Sequence, residues 1–177
     1  MSIHALIARL PELGSASIGY GPKHPQHPQP DLAPMLDEFL TTYPFLRWDQ
    51  GYINYLETYA GAAVRKDDDS VMLDIFGFTS ESTHFHELDA LDLPAIDEKG
   101  FFTFCDGYFR LDDDQHLLGA CFDATGTRRA GIYRVKARHE GPPSQENVEI
   151  YYYCTTFDEW LWANLEYKGR LPDHLHE

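Results

Sequence analysis

The run Thr83-His84-Phe85-His86-Glu87 sets two imidazoles two positions apart. In an extended segment both would project from one face, which is how a metal site can begin. A zinc centre needs three or four protein ligands, and the chain has no HExxH and no CxxC pair to complete one. His84 and His86, beside Phe85 and Leu88, are therefore read as surface or half-buried polar groups, and no metal is expected. His174 and His176 stand near the C-terminal end. Cys105, Cys121 and Cys154 each sit in an apolar, strand-like run. Burial there raises a thiol's pKa and makes it inert, so the three read as buried free thiols of a reducing compartment, with no disulfide framework. Carboxylates are so numerous that pairs suited to acid and base work must arise by chance, and their spacing singles out none. No P-loop, GxGxxG or GxSxG is present. Neither catalysis nor a cofactor is expected.

The charged residues point instead to a partner. Lys and Arg number 14 against 29 Asp and Glu in 177 residues, a formal charge of −15 with a pI near 4.8. Such a surface repels nucleic acid and anionic membranes and attracts cationic proteins. The acidity is concentrated: residues 61 to 120 carry 4 basic and 14 acidic residues, a charge of −10. Two triplets stand out, Asp67-Asp68-Asp69 and Asp112-Asp113-Asp114, each in a turn before a predicted strand. They lack the alternating oxygen ligands and terminal Glu of an EF-hand loop, so calcium is not expected. If one sheet edge holds the two triplets together, they form a docking face for a basic protein. The alternating segment Tyr133-Arg134-Val135-Lys136-Ala137-Arg138 puts Arg134, Lys136 and Arg138 on one face. In a chain this acidic they read as the solvent side of a strand, opposite acidic neighbours such as Glu149.

Hydrophobic residues make up 43% of the chain and aromatics 14%, enough to offset chain entropy in one compact domain. Ile3, Leu6, Ile7 and Leu10 fall at helical spacing after the cap Ser2, and Pro11 ends that run. Residues 14 to 30 hold three Gly and four Pro with no apolar period, so they are expected to be an extended loop. Residues 1–30 are thus an N-terminal helix and a Pro/Gly-rich loop. A second helix begins at the cap Asp31, with Leu32, Leu36, Phe39, Leu40 and Tyr43 on one stripe. A third follows the cap Asp49, with Tyr52, Ile53, Leu56, Tyr59 and Ala60 on its face and Gly61 expected to close it. Beyond it come five runs rich in β-branched and aromatic residues: Val71 to Phe76, Phe101 to Phe109, Leu117 to Ala124, Gly131 to Arg138 and Val148 to Thr155. No crossover of helix length separates the later runs, which predicts an antiparallel meander. Thr156 and Glu159 form a capping box, Phe157, Trp160, Leu161 and Leu165 supply a buried face, and Gly169 closes the last helix. The class predicted is α+β: one domain, with a mostly antiparallel sheet of five to six strands packed against N-terminal helices and a C-terminal helix.

The order of these elements is similar to that of the SUKH superfamily, which includes Syd and the Knr-type cell-wall regulators. Tyr52-Ile53-Asn54-Tyr55-Leu56-Glu57-Thr58-Tyr59-Ala60-Gly61 resembles that family's aromatic, Leu, aromatic, Gly helix end. Leu73-Asp74-Ile75-Phe76-Gly77-Phe78 resembles its first strand and turn, and Thr156-Phe157-Asp158-Glu159-Trp160-Leu161 its closing helix. The likeness spans about residues 31 to 168, so 31–177 is read as a SUKH-like domain. It departs where Ala60-Gly61-Ala62 stands in place of the family's Asn-Gly. The resemblance implies a non-enzymatic binding module, often a bacterial immunity protein that neutralises a toxin, frequently a nuclease. It also implies that Leu56, Tyr59, Gly61, Gly77, Phe157, Trp160 and Leu161 are structural. The expected partner is a basic toxin domain, with no nucleic acid and no membrane, and the protein is expected in the cytoplasm as a monomer or weak dimer. The first apolar stretch is too short to span a bilayer and lacks the features of a signal peptide. A regulatory or scaffold protein, and a metal-dependent enzyme using His84, His86 or Cys105, are the alternatives.

Overall fold

The computed structural model describes residues 1–19, 33–59, 61–66, 71–77, 96–111, 114–117, 119–137, 148–173 and 175. Helix α1 (Ile3–Ile7) starts where Ser2 accepts a hydrogen bond from the Ala5 amide, and a 3-10 turn, Leu10–Glu12, follows it. Strand β1 (Ser15–Gly19) comes next, then α2 (Ala33–Thr42), a 3-10 turn (Pro44–Trp48) and α3 (Gln50–Thr58). Seven strands then run in succession: β2 (Gly61–Arg65), β3 (Val71–Ile75), β4 (Phe101–Leu111), β5 (Asp114–Leu117), β6 (Ala120–Asp123), β7 (Ile132–Ala137) and β8 (Val148–Cys154). Helix α4 (Phe157–Glu166) closes the order.

The fold is α+β, one antiparallel sheet with its helices drawn from the two ends of the chain. The eight strands among the described residues share one sheet, in the order β1-β2-β3-β4-β6-β7-β8, with β5 paired to the far half of β4. The five predicted runs are all present as strands. Three more, β1, β2 and β5, bring the count above the expected five to six. Part of the predicted loop at 14 to 30 is thus β1, because Ser15 to Gly19 finds a partner in β2. Gly61 does not close α3. The helix ends at Thr58 with Tyr59 extended, and Gly61, at φ 137°, opens β2 in a conformation that side chains rarely adopt.

One core joins all these elements. Leu6, Ile7 and Leu10 from the N-terminal turns meet Tyr52, Tyr55 and Leu56 from α3, Phe102, Phe104 and Phe122 from the sheet, and Phe157, Trp160 and Leu161 from α4. A bulge in β4 decides which residues face it. Thr103 pairs with Cys121 and Cys105 with Ala120, so Phe104 is an extra residue and the inward parity shifts by one. Phe102, Phe104 and Cys105 are consequently all fully buried. A second irregularity, in β8, buries Tyr153 and Cys154 together in the same way. On the opposite face of the sheet Phe101, Cys121 and Tyr133 form a smaller cluster with Val135, Ile150 and Tyr152.

Candidate partner-binding surface

The strand registers decide which loops share an end of the sheet. Arg65 is the last residue of β2 and Val71 the first of β3, so both mark the end at which that hairpin turns. Val71 pairs with Phe109, and β4 runs on two residues to Leu111, which pairs with Asp114. The described residues that flank the two acidic triplets therefore lie at one end of the sheet, on neighbouring hairpins. Asp67, Asp68, Asp69, Asp112 and Asp113 themselves lie outside the described residues; Asp114 opens β5. His84 and His86 also lie outside them.

Further acidic groups stand on the strands leading to that end. Asp74 of β3 and Asp106 of β4 are directly opposite in register, so their side chains share the face away from the helices. Asp106 is exposed and Asp74 is held by Arg65, whose Nη2 lies 3.1 Å from its Oδ2. The other end of β4 carries both signs: Asp97, Glu98 and Asp123 stand there with Lys99, Arg128 and Arg129. Given about 3.3 Å per residue, the two ends of this strand are roughly 30 Å apart. There the β6–β7 hairpin carries Arg128 over the Phe101 ring at 4.4 Å and Arg129 over Tyr152 at 4.0 Å, with exposed Lys99 alongside. Arg128 also donates to Asp123 Oδ1 at 2.7 Å. Burial pushes the Asp123 carboxyl up, but hydrogen bonds from Thr125 and Arg128 outweigh it and bring the pKa down to about 2.

The cationic stripe of β7 is not a solvent face. Arg134 is buried, and its Nη1 donates to the carbonyls of Leu171 and Pro172 at 3.1 Å each. Lys136, on the same side, reaches Asp173 at 2.6 Å, although the register does set it opposite Glu149. These two cations tie the segment after α4 to the sheet and are not offered to a ligand. Arg138 lies outside the described residues.

Five of the residues of the resemblance lie in the core. Leu56, Phe157, Trp160 and Leu161 are fully buried and Tyr59 nearly so, while Gly61 opens β2 and Gly77 lies two residues beyond the end of β3. Cys105, Cys121 and Cys154 are free and buried, and burial pushes all three thiols up, away from the reactive thiolate. No group of three or more His, Cys, Asp or Glu able to hold a metal occurs among the described residues. Nor does any described helix have the length and apolarity to cross a membrane.

One feature was not legible in the sequence. Asp49 was recognisable as the cap of α3, and its Oδ1 does accept from the Tyr52 amide at 3.0 Å. Its Oδ2 also accepts from the Phe157 amide at 2.7 Å, across 108 positions of chain. A single carboxylate thus serves the first turns of two helices. No protein family, characterised protein or solved structure compared with the chain matches it.

Proposed function

We propose that this chain is a non-enzymatic protein-binding module of the immunity type, which neutralises a basic toxin domain by docking it on an acidic end of the sheet. A nuclease is the toxin class that fits best, because an enzyme that grips a polyanion must present a basic surface. The observation that supports the reading is the convergence of charge and topology. Ten of the fifteen net negative charges fall between residues 61 and 120, and the strand ends flanking both Asp triplets come to one end of the sheet. Exposed carboxylates at such a surface steer an oppositely charged partner into contact and raise the association rate more than the final affinity.

The test is co-expression. The protein encoded beside this chain's gene is produced in a host with and without this chain, and binding of the purified pair is measured by calorimetry. Rescue of growth together with a one-to-one complex supports the reading. A neighbour that is harmless alone, or that kills equally well with this chain present, removes it.

A further inference from the structure

The junction of α3 and α4 holds two carboxylates where one cap would suffice. Asp49 is almost wholly buried and spends both oxygens on the amides of Tyr52 and Phe157. Asp158, the residue after Phe157, points its Oδ1 into the same place, where that atom is shut off from solvent and accepts no hydrogen bond among the described residues. Gly51 shows how close the groups are. A Cβ there would fall 2.5 Å from Asp158 Oδ1 and 3.3 Å from Asp49 Oδ1, so the two oxygens are within about 6 Å of each other. Only a residue without a side chain lets Asp158 sit against the first turn of α3.

We propose that the closeness of Asp49 and Asp158 makes the α3–α4 junction a pH-sensitive clasp, relaxed while Asp49 holds a proton and under mutual repulsion once both are ionised. The surrounding charges do not neutralise the pair. Neither carboxylate forms a salt bridge among the described residues, and Arg47, in the turn before α3, is exposed. The groups that bear on the two are the Met1 amino group, which pulls Asp158 down, the Tyr52 phenol of α3, and the Cys154 thiol at the end of β8. Glu159 of α4 lies beyond that thiol, its Oε2 bound by the Thr155 and Thr156 amides.

Burial raises both carboxyls. The Tyr52 and Phe157 amides offset part of this for Asp49, the charge of Asp158 adds to it, and Asp49 stands at about 6. The folded protein therefore binds more protons than the unfolded chain above the ordinary carboxylate range. The stabilisation is fully present below that range and is lost as pH rises through about 6.

The full chain and its Asp158→Asn variant are unfolded in urea between pH 5 and 7.5. A carboxylate in the first turn of an isolated helix is stabilising, so an ordinary helix end predicts that Asn weakens the fold. The clasp predicts the reverse: the variant is more stable at pH 7.5, and the wild-type unfolding constant rises severalfold more across the range than that of the variant, in which Asp49 keeps only the shift due to burial. Carboxyl carbon NMR of the unaltered protein supplies an independent reading, with one Asp titrating near pH 6. Two Asp158→Asn and wild-type stability curves that run parallel, or both carboxyls titrating below about pH 4.5, would overturn the clasp.

Discussion

Single residues carry unequal shares of this fold, and Trp160 carries one of the largest. It is fully buried, edge-on to Phe104 at 5.1 Å and tilted against Phe157 at 5.6 Å, so it bonds α4 to the bulged strand β4. Trp160→Ala removes that contact and leaves a cavity, at a cost of about 3 kcal/mol or more. For a chain of this length that lowers the melting temperature by roughly 6–12 °C, and an unchanged melting temperature would show that Trp160 packs elsewhere. Asp123 is the polar counterpart. With a pKa near 2 it stabilises the fold above the ordinary carboxylate range, and that contribution fades as pH falls through 2. Asp123→Asn should therefore cost about 1–2 kcal/mol at pH 7 in urea unfolding, with the gap to wild type closing towards pH 2. A gap that stays constant with pH would mean the carboxylate charge is not what matters. The helical spacing of Phe157, Trp160 and Leu161 made their burial legible from the sequence alone. The roles of Asp49 and Arg134 were not, because each is fixed by a partner on a distant element: Phe157 in one case, the Leu171 and Pro172 carbonyls in the other.

Elements with strong local signals were the ones the sequence revealed. Helix α4 is capped reciprocally as expected, with the Thr156 hydroxyl accepting from the Glu159 amide and Glu159 Oε2 accepting from the Thr156 amide, both at 3.3 Å. Thr156→Ala leaves the Glu159 amide without its acceptor and should cost about 1 kcal/mol. Thermal unfolding would register this as a fall of roughly 2–4 °C, whereas no change would show that solvent replaces the cap without loss. The strands that escaped notice have weak local signals. Gly61-Ala62-Ala63-Val64-Arg65 and Ser15-Ala16-Ser17-Ile18-Gly19 are small and poor in β-formers, and each becomes a strand because pairing supplies what propensity does not. Gly61 misled for a related reason. Glycine serves both a helix end and a strand entry at positive φ, and only the long-range pairing of Gly61 with Gly19 distinguishes them.

At the scale of the whole molecule, strand register brings the residues flanking the two acidic triplets to one end of the sheet. Among the described residues, Asp74, Asp106 and Asp114 stand on β3, β4 and β5, while Lys99, Arg128 and Arg129 stand with Asp97, Glu98 and Asp123 at the opposite end of β4. The sequence revealed the excess and its concentration in the middle third, but not that the strand ends flanking the two triplets come together. That depends on registers set by residues such as Val71 and Phe109, which are themselves uncharged. The proposed docking through this end is tested by stopped-flow association of the partner identified by co-expression with wild type and with a variant in which Asp67, Asp68, Asp69, Asp112, Asp113 and Asp114 are all Asn. At low ionic strength the association rate constant should fall about tenfold or more, while dissociation changes by less than about threefold and the difference shrinks as salt is added. Association at the wild-type rate at low ionic strength would contradict docking through the acidic end.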